Sequence, residues 1–143
     1  MKIQLTRIQS PFHFEARNET GNSVQIDASP DIGGSGLGAR PMELLIMGLG
    51  SCSGIDIVSI LQKQRQKVEG FHISLNAERD KGKEANLFTK IHIHFSLEGE
   101  IEKEKLETAI HLSLDKYCSV AKTLEKTAII THSFSINGVE YGI

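Results

Sequence analysis

The sequence predicts an α+β fold. Three observations carry the prediction. Apolar and polar residues alternate with period two in the first 28 residues, between Phe71 and Leu97, and from Ile129 to Tyr141, as half-buried strands require. Two segments, Met42 to about Gln66 and 102–117, carry apolar residues at helical spacing. Strands and helices fall in runs and do not alternate as strand–helix–strand units. With 143 residues, the chain is expected to form one domain, 1–143.

Residues 1–8 read as a first strand. Phe12, Phe14 and Ala16 share one face of a second, and Val24, Ile26 and Ala28 repeat the pattern beyond a turn at 18–22. From Pro30 to Pro41, four glycines and two prolines mark a loop. It lacks the Gly-Lys-Ser/Thr ending of a phosphate-binding loop and the spacing of a dinucleotide fingerprint, so no nucleotide is assigned to it. Pro41 suits a first helical turn, where its missing N–H costs nothing. Leu44, Leu45, Leu49, Ile55, Val58, Ile60 and Leu61 then surround the helix, which predicts burial. Gly70 ends this stretch. Phe71, Ile73 and Leu75 mark a strand, and Phe88 to Leu97 its hairpin partner, closed by Glu98-Gly99. Leu106, Ala109, Ile110, Leu114 and Tyr117 give 102–117 an amphipathic helix. Val120, Ala121 and Leu124 suggest a short helix after Cys118. Asn137-Gly138 is a type I′ turn inside the final strands.

Sixteen Lys and Arg against eighteen Asp and Glu leave a formal charge of −2, so no basic field collects nucleic acid. The N-terminus lacks the apolar run of a leader, and no window is read as approaching the roughly 20 apolar residues of a membrane span. A cytoplasmic location without membrane contact is the expectation. His92 and His94 share a strand face, but no third ligand is signalled nearby, so neither metal nor cofactor is expected. The apolar helix asks for more cover than so short a chain supplies. A homodimer is the natural solution.

The two cysteines, Cys52 and Cys118, are too few for a disulfide framework. One reading makes both buried small hydrophobes. The other makes them a reactive thiol and its resolving partner. A cysteine that opens a helix feels a dipole that favours thiolate. That describes Cys118, and Cys52 too if Gly50 breaks the first helix. Asp56 lies one turn after Cys52. It can pair with Arg17, Arg40 or Lys122, or face the mouth of a site. Beside a thiol it would oppose the thiolate by like charge.

Pro41-Met42-Glu43-Leu44-Leu45-Ile46-Met47-Gly48-Leu49-Gly50-Ser51-Cys52, followed by Lys116-Tyr117-Cys118-Ser119-Val120-Ala121-Lys122-Thr123-Leu124, resembles the OsmC/Ohr family. The resemblance implies an OsmC-like fold of antiparallel sheets with a buried central helix, in an intertwined homodimer. It implies a thiol peroxidase for organic hydroperoxides, in which Cys52 attacks the peroxide, Cys118 resolves the sulfenic acid and a dithiol reductant resets the pair. The alternative is a non-catalytic stress protein holding an apolar ligand in the dimer pocket. Family peroxidases place a glutamate directly after the helix-opening proline and pair it with an arginine. Here Met42 follows Pro41, and Glu43 comes one residue later. About 100° per residue sets Glu43 about 180° from Cys52 around a regular helix. Glu43, Arg40 and Arg17 are the charged candidates for the site. Ser119 stands where a proline often follows the second cysteine.

Overall fold

The computed structural model describes residues 1–142. The chain divides into two compact units, Met1–Leu45 and Ile46–Ile143.

The first unit is an antiparallel meander of β1 (Ile3–Gln9), β2 (His13–Asn18) and β3 (Ser23–Ile26). Asn18 builds the second turn, its Oδ1 accepting the N–H groups of Thr20 and Asn22 at 3.2 and 2.9 Å. Ile3, Leu5, Ile8 and Val24 on these strands are exposed apolar side chains.

The glycine-rich segment folds back onto β3 through a bridge between Ile26 and Ala39. Its organiser is Asp27, only 2% exposed. The carboxylate accepts the N–H groups of Ala28, Ser35 and Leu37 at 2.7, 3.3 and 3.1 Å. Those bonds, that from Leu37 foremost, hold the Asp27 carboxyl below its ordinary range. A Cβ on Gly34 would lie 1.9 Å from the Ala28 carbonyl oxygen, and one on Gly38 would lie 2.4 Å from the Gln25 carbonyl carbon. Two of the glycines therefore serve close backbone packing. The N–H groups that a phosphate would need are already turned on a carboxylate of the chain itself.

α1 runs unbroken from Pro41 to Lys63. Pro41 is its first residue, and Glu43 Oε1 accepts the Arg40 N–H at 2.8 Å, the reciprocal half of a capping box.

In the second unit β4 (Lys67–Arg79) pairs antiparallel with β5 (Phe88–Glu100). Both strands exceed the expected spans. β5 continues past Glu98 because Asn137 clamps Gly99, Oδ1 accepting its N–H and Nδ2 donating to its carbonyl, both at 2.9 Å. β6 (Ile129–Ile136) runs parallel to β5, and β7 (Val139–Tyr141) returns antiparallel. The expected antiparallel pairing thus holds for every described pair except β5 with β6. A parallel pair needs a crossover. Here it comprises α2 (Lys103–Leu112), a π turn (Ser113–Tyr117) and α3 (Ser119–Leu124). Asn137 and Gly138 have φ of 51° and 82°, as a type I′ turn demands.

The core of this unit joins Ile91, Ile93, Phe95 and Leu97 of β5 to Leu49, Ile57 and Leu61 of α1 and Leu106, Ala109 and Ile110 of α2, all at most 1% exposed. Gly50 and Gly54 let α1 lie close to β4. A Cβ on either would come within 2.9 Å of Leu75 Cδ1 or 2.7 Å of Ile73 Cδ1, respectively. The opposite side of α1 is bare: Met47 is 53% and Ile55 70% exposed.

α1 leaves one apolar face exposed, as the expected shortage of cover implies. One expectation needs correction: α1 is long and apolar enough, by length and composition, to cross a membrane. Glycines and serines interrupt its apolar runs but are only weakly polar, and Asp56 is the one charged residue between Glu43 and Lys63. The glycine face seated on β4 is that of a core helix.

Candidate active site

α1 places Cys52 and Asp56 one turn apart on one face. The crossover supplies the rest. At the π turn the Cys118 N–H donates to the Ser113 carbonyl, five residues back, at 2.7 Å. The chain then leaves helical geometry at Cys118 and restarts as α3, with Cys118 as its N-cap. Cys118 Sγ accepts the Ala121 N–H at 3.3 Å. Ser113, in the same π turn, donates its hydroxyl to Asp56 Oδ2 at 2.9 Å. Single π turns recur at functional sites because the extra residue re-aims side chains. The result is a cluster in which the two sulfurs and an Asp56 carboxylate oxygen all lie within 4.8 Å of one another.

The two thiols differ. Cys52 is half-buried, and Cys118 has no exposed surface. Burial pushes the Cys118 thiol up to about 11 from its usual 9.0, and the neighbouring Cys52 adds to the rise. The Ala121 N–H pulls the other way and is outweighed. The expected thiolate at the head of α3 is therefore not present: loss of solvent outranks the cap in so short a helix. Nor does a helix start at Cys52, because α1 passes Gly50 without a break.

Asp56 accepts a hydroxyl hydrogen bond and, among the described residues, forms no ion pair. Lys122 is paired with Glu125 at 2.6 Å. Asp56 also lines a depression of about 640 Å³ with Ile60, Lys63, Leu112 and Tyr117, so it does face an opening. A second groove, about 510 Å³ and largely apolar, runs along Ile55, Val58, Phe71 and Ile73.

The charged candidates lie in the first unit. Arg17 Nε donates to Glu15 Oε1 at 2.6 Å. Glu43 is occupied with the Arg40 N–H. The Arg40 side chain is exposed. His92 and His94 are tied into a hydroxyl ladder, His92 with Thr131 and Ser133 at 2.8 and 2.9 Å and His94 with Ser133 at 2.7 Å. Among the described residues, the donor set suited to a metal ion is Cys52, Asp56 and Cys118. Ser113 was not singled out in the sequence. It lies 57 positions from Asp56, and a lone serine in an amphipathic helix carries no pattern.

A sheet packed on one face of a helix that carries one thiol, with a second thiol brought to it by a crossover, makes this an α+β protein with two thiols held close together. The chain belongs to the OsmC family: residues 33–133 match the model described as OsmC-like protein. It is 41% identical over 125 residues to Protein YhfA of Escherichia coli K12, covering 86% of this chain and 89% of that one. A hypothetical protein from Aquifex aeolicus VF5 has the same fold at 31% identity, with a TM-score of 0.82 over 95% of each chain. An organic hydroperoxide resistance protein OsmC from Legionella pneumophila shares the fold at 14% identity, with a TM-score of 0.70 over 94% of this chain and 95% of that one.

Proposed function

We propose that this protein is a thiol-dependent peroxidase that reduces organic hydroperoxides through Cys52 and Cys118 as a homodimer. The observation that carries the reading is the pair itself: a half-buried thiol within 4.8 Å of a fully buried one. Cys52 attacks the peroxide oxygen, the O–O bond breaks, an alcohol leaves, and Cys52 becomes a sulfenic acid. Cys118 displaces the sulfenic oxygen as water, and a disulfide forms. A dithiol reductant restores both thiols by exchange. The organic hydroperoxide resistance protein of similar fold supports this reading of the substrate class. The bare apolar faces of β1 and α1 support a second copy as their cover. The family match at 33–133 runs through both units and supports a single domain, 1–143. A cytoplasmic location fits the reduced resting state of such a pair.

The test is mass spectrometry after one equivalent of cumene hydroperoxide. The expected result is a loss of two hydrogens and of both alkylatable thiols, abolished in Cys52→Ser. Retention of both thiols in the wild type refutes the proposal. Arg17→Ala, Arg40→Ala and Glu43→Gln, assayed beside it, test whether any of these charges assists.

One observation favours a second reading. Arg17 and Glu43 are each held in a local hydrogen bond and not paired with one another, which favours a non-catalytic protein that holds an apolar ligand. In that case Cys52→Ser retains the ligand undiminished.

A further inference from the structure

Resolution of a sulfenic acid moves a proton as well as two electrons. The Cys118 sulfur attacks the Cys52 sulfur, the S–O bond breaks, and the departing hydroxide must gain a proton to leave as water. The Cys118 thiol must lose one. Cys118 is fully buried, and burial holds the thiol in its protonated form, with a pKa of about 11. A neutral thiol is a poor nucleophile, so this step needs a base beside it.

Asp56 is placed for that task. One of its carboxylate oxygens lies within 4.8 Å of both sulfurs, within reach of proton transfer directly or through a water. The Ser113 hydroxyl fixes one carboxylate oxygen at 2.9 Å, and Ser113 belongs to the π turn that delivers Cys118. Base and thiol are thus positioned by the same backbone feature. Asp56 also lines the 640 Å³ depression.

We propose that Asp56 is the proton acceptor of the resolving step, taking the Cys118 thiol proton and returning it to the hydroxide that leaves Cys52. The inference rests on the peroxidase reading above. It gives Asp56 opposite effects on the two chemical steps. A carboxylate beside an attacking thiolate does nothing to promote the first step, because like charges repel. In the second step it contributes the 10²–10⁴-fold typical of general acid–base catalysis.

The test is rapid-quench kinetics on the reduced full-length protein with one equivalent of cumene hydroperoxide. Dimedone traps the sulfenic acid, and intact mass reports the disulfide. In Asp56→Asn, peroxide is consumed at the wild-type rate or faster. The disulfide closes about 100-fold more slowly, so that the dimedone adduct accumulates. Ser113→Ala keeps the carboxylate but frees it, and slows closure a few-fold, which tests the role even if Asp56→Asn fails to fold. A purely structural role would slow both steps together and overturns the proposal. So does disulfide closure at the wild-type rate in Asp56→Asn, or in Ser113→Ala should Asp56→Asn fail to fold. A wild-type protein that consumes no peroxide overturns instead the peroxidase reading on which the step depends.

Discussion

Oxidation of the pair should stabilise the fold, by an amount that can be worked out. A Cys52–Cys118 bond closes a loop of about 66 residues, and the chain-entropy relation puts its effect on the unfolded state at about 4 kcal/mol at 25 °C. The native state gives some of that back. The sulfurs now lie within 4.8 Å and must close to about 2.05 Å. The Ala121 N–H bond to Cys118 Sγ, worth about 1 kcal/mol, is weakened in the process. A net gain of about 2–3 kcal/mol remains. With an unfolding entropy of about 2.1 cal/mol/K per residue over 143 residues, that gain raises Tm by about 7–10 °C. The assay is thermal unfolding by circular dichroism at one pH, with protein reduced under dithiothreitol and oxidised by one equivalent of hydroperoxide. Mass spectrometry confirms the cross-link. Cys118→Ala, treated identically, should show no shift. An oxidised protein with the confirmed bond and an unchanged or lower Tm refutes the reasoning, because closure would then cost the native state all that it removes from the unfolded one.

Four further outcomes follow from the geometry. Gly54→Val drives a branched side chain into Ile73, whose Cδ1 would sit 2.7 Å from the new Cβ, and lowers stability by about 1–2 kcal/mol in a denaturant titration. A gain would mean that Gly54 is no packing device. Asp27 has its carboxyl lowered from 3.8, so its contribution is complete above that pH and is lost as pH falls through the still lower folded value. The stability gap between wild type and Asp27→Asn should therefore narrow below pH 3.8, and a gap constant down to pH 2 contradicts the clamp. Ile55→Asp puts a charge at the centre of the bare α1 face; sedimentation should find the proposed dimer for the wild type and monomers for the variant. Limited alkylation with iodoacetamide at pH 7 should label Cys52 before Cys118, and the reverse order would contradict the burial of the second thiol.

The periodic parts of this chain were legible because periodicity reports burial directly. The Asn137-Gly138 turn falls where turn chemistry places it, and the strands and α1 form in the expected segments, though β4 and β5 run beyond their expected ends and α1 stops at Lys63. Two kinds of feature were not legible. The π turn looks like plain helix in sequence, since its apolar spacing continues through Leu114 and Tyr117. The parallel pairing of β5 with β6 depends on where a crossover lands, which no local pattern encodes. At the site, both cysteines and the spacing of Asp56 after Cys52 could be read. The partner of Asp56 could not, because Ser113 arrives from 57 positions away. The thiolate expected at Cys118 failed for a physical reason: sequence reveals the helix start but not the burial that outweighs it.

That failure assigns the two sulfurs different work. A thiol that burial holds in its protonated form is poorly suited to first attack on a peroxide. The same burial is tolerable in a resolving thiol. In the proposed reaction its target is a single sulfenic acid held within the cluster, so effective concentration replaces nucleophilicity. On that reading Cys52, half-buried on α1, would meet incoming substrate, and Cys118, fully buried within the crossover, would meet only Cys52. Such a division removes competition for peroxide between the two thiols, but it leaves the second step short of a base. A carboxylate one turn from Cys52, tied by Ser113 to the turn that carries Cys118, stands where that shortage arises.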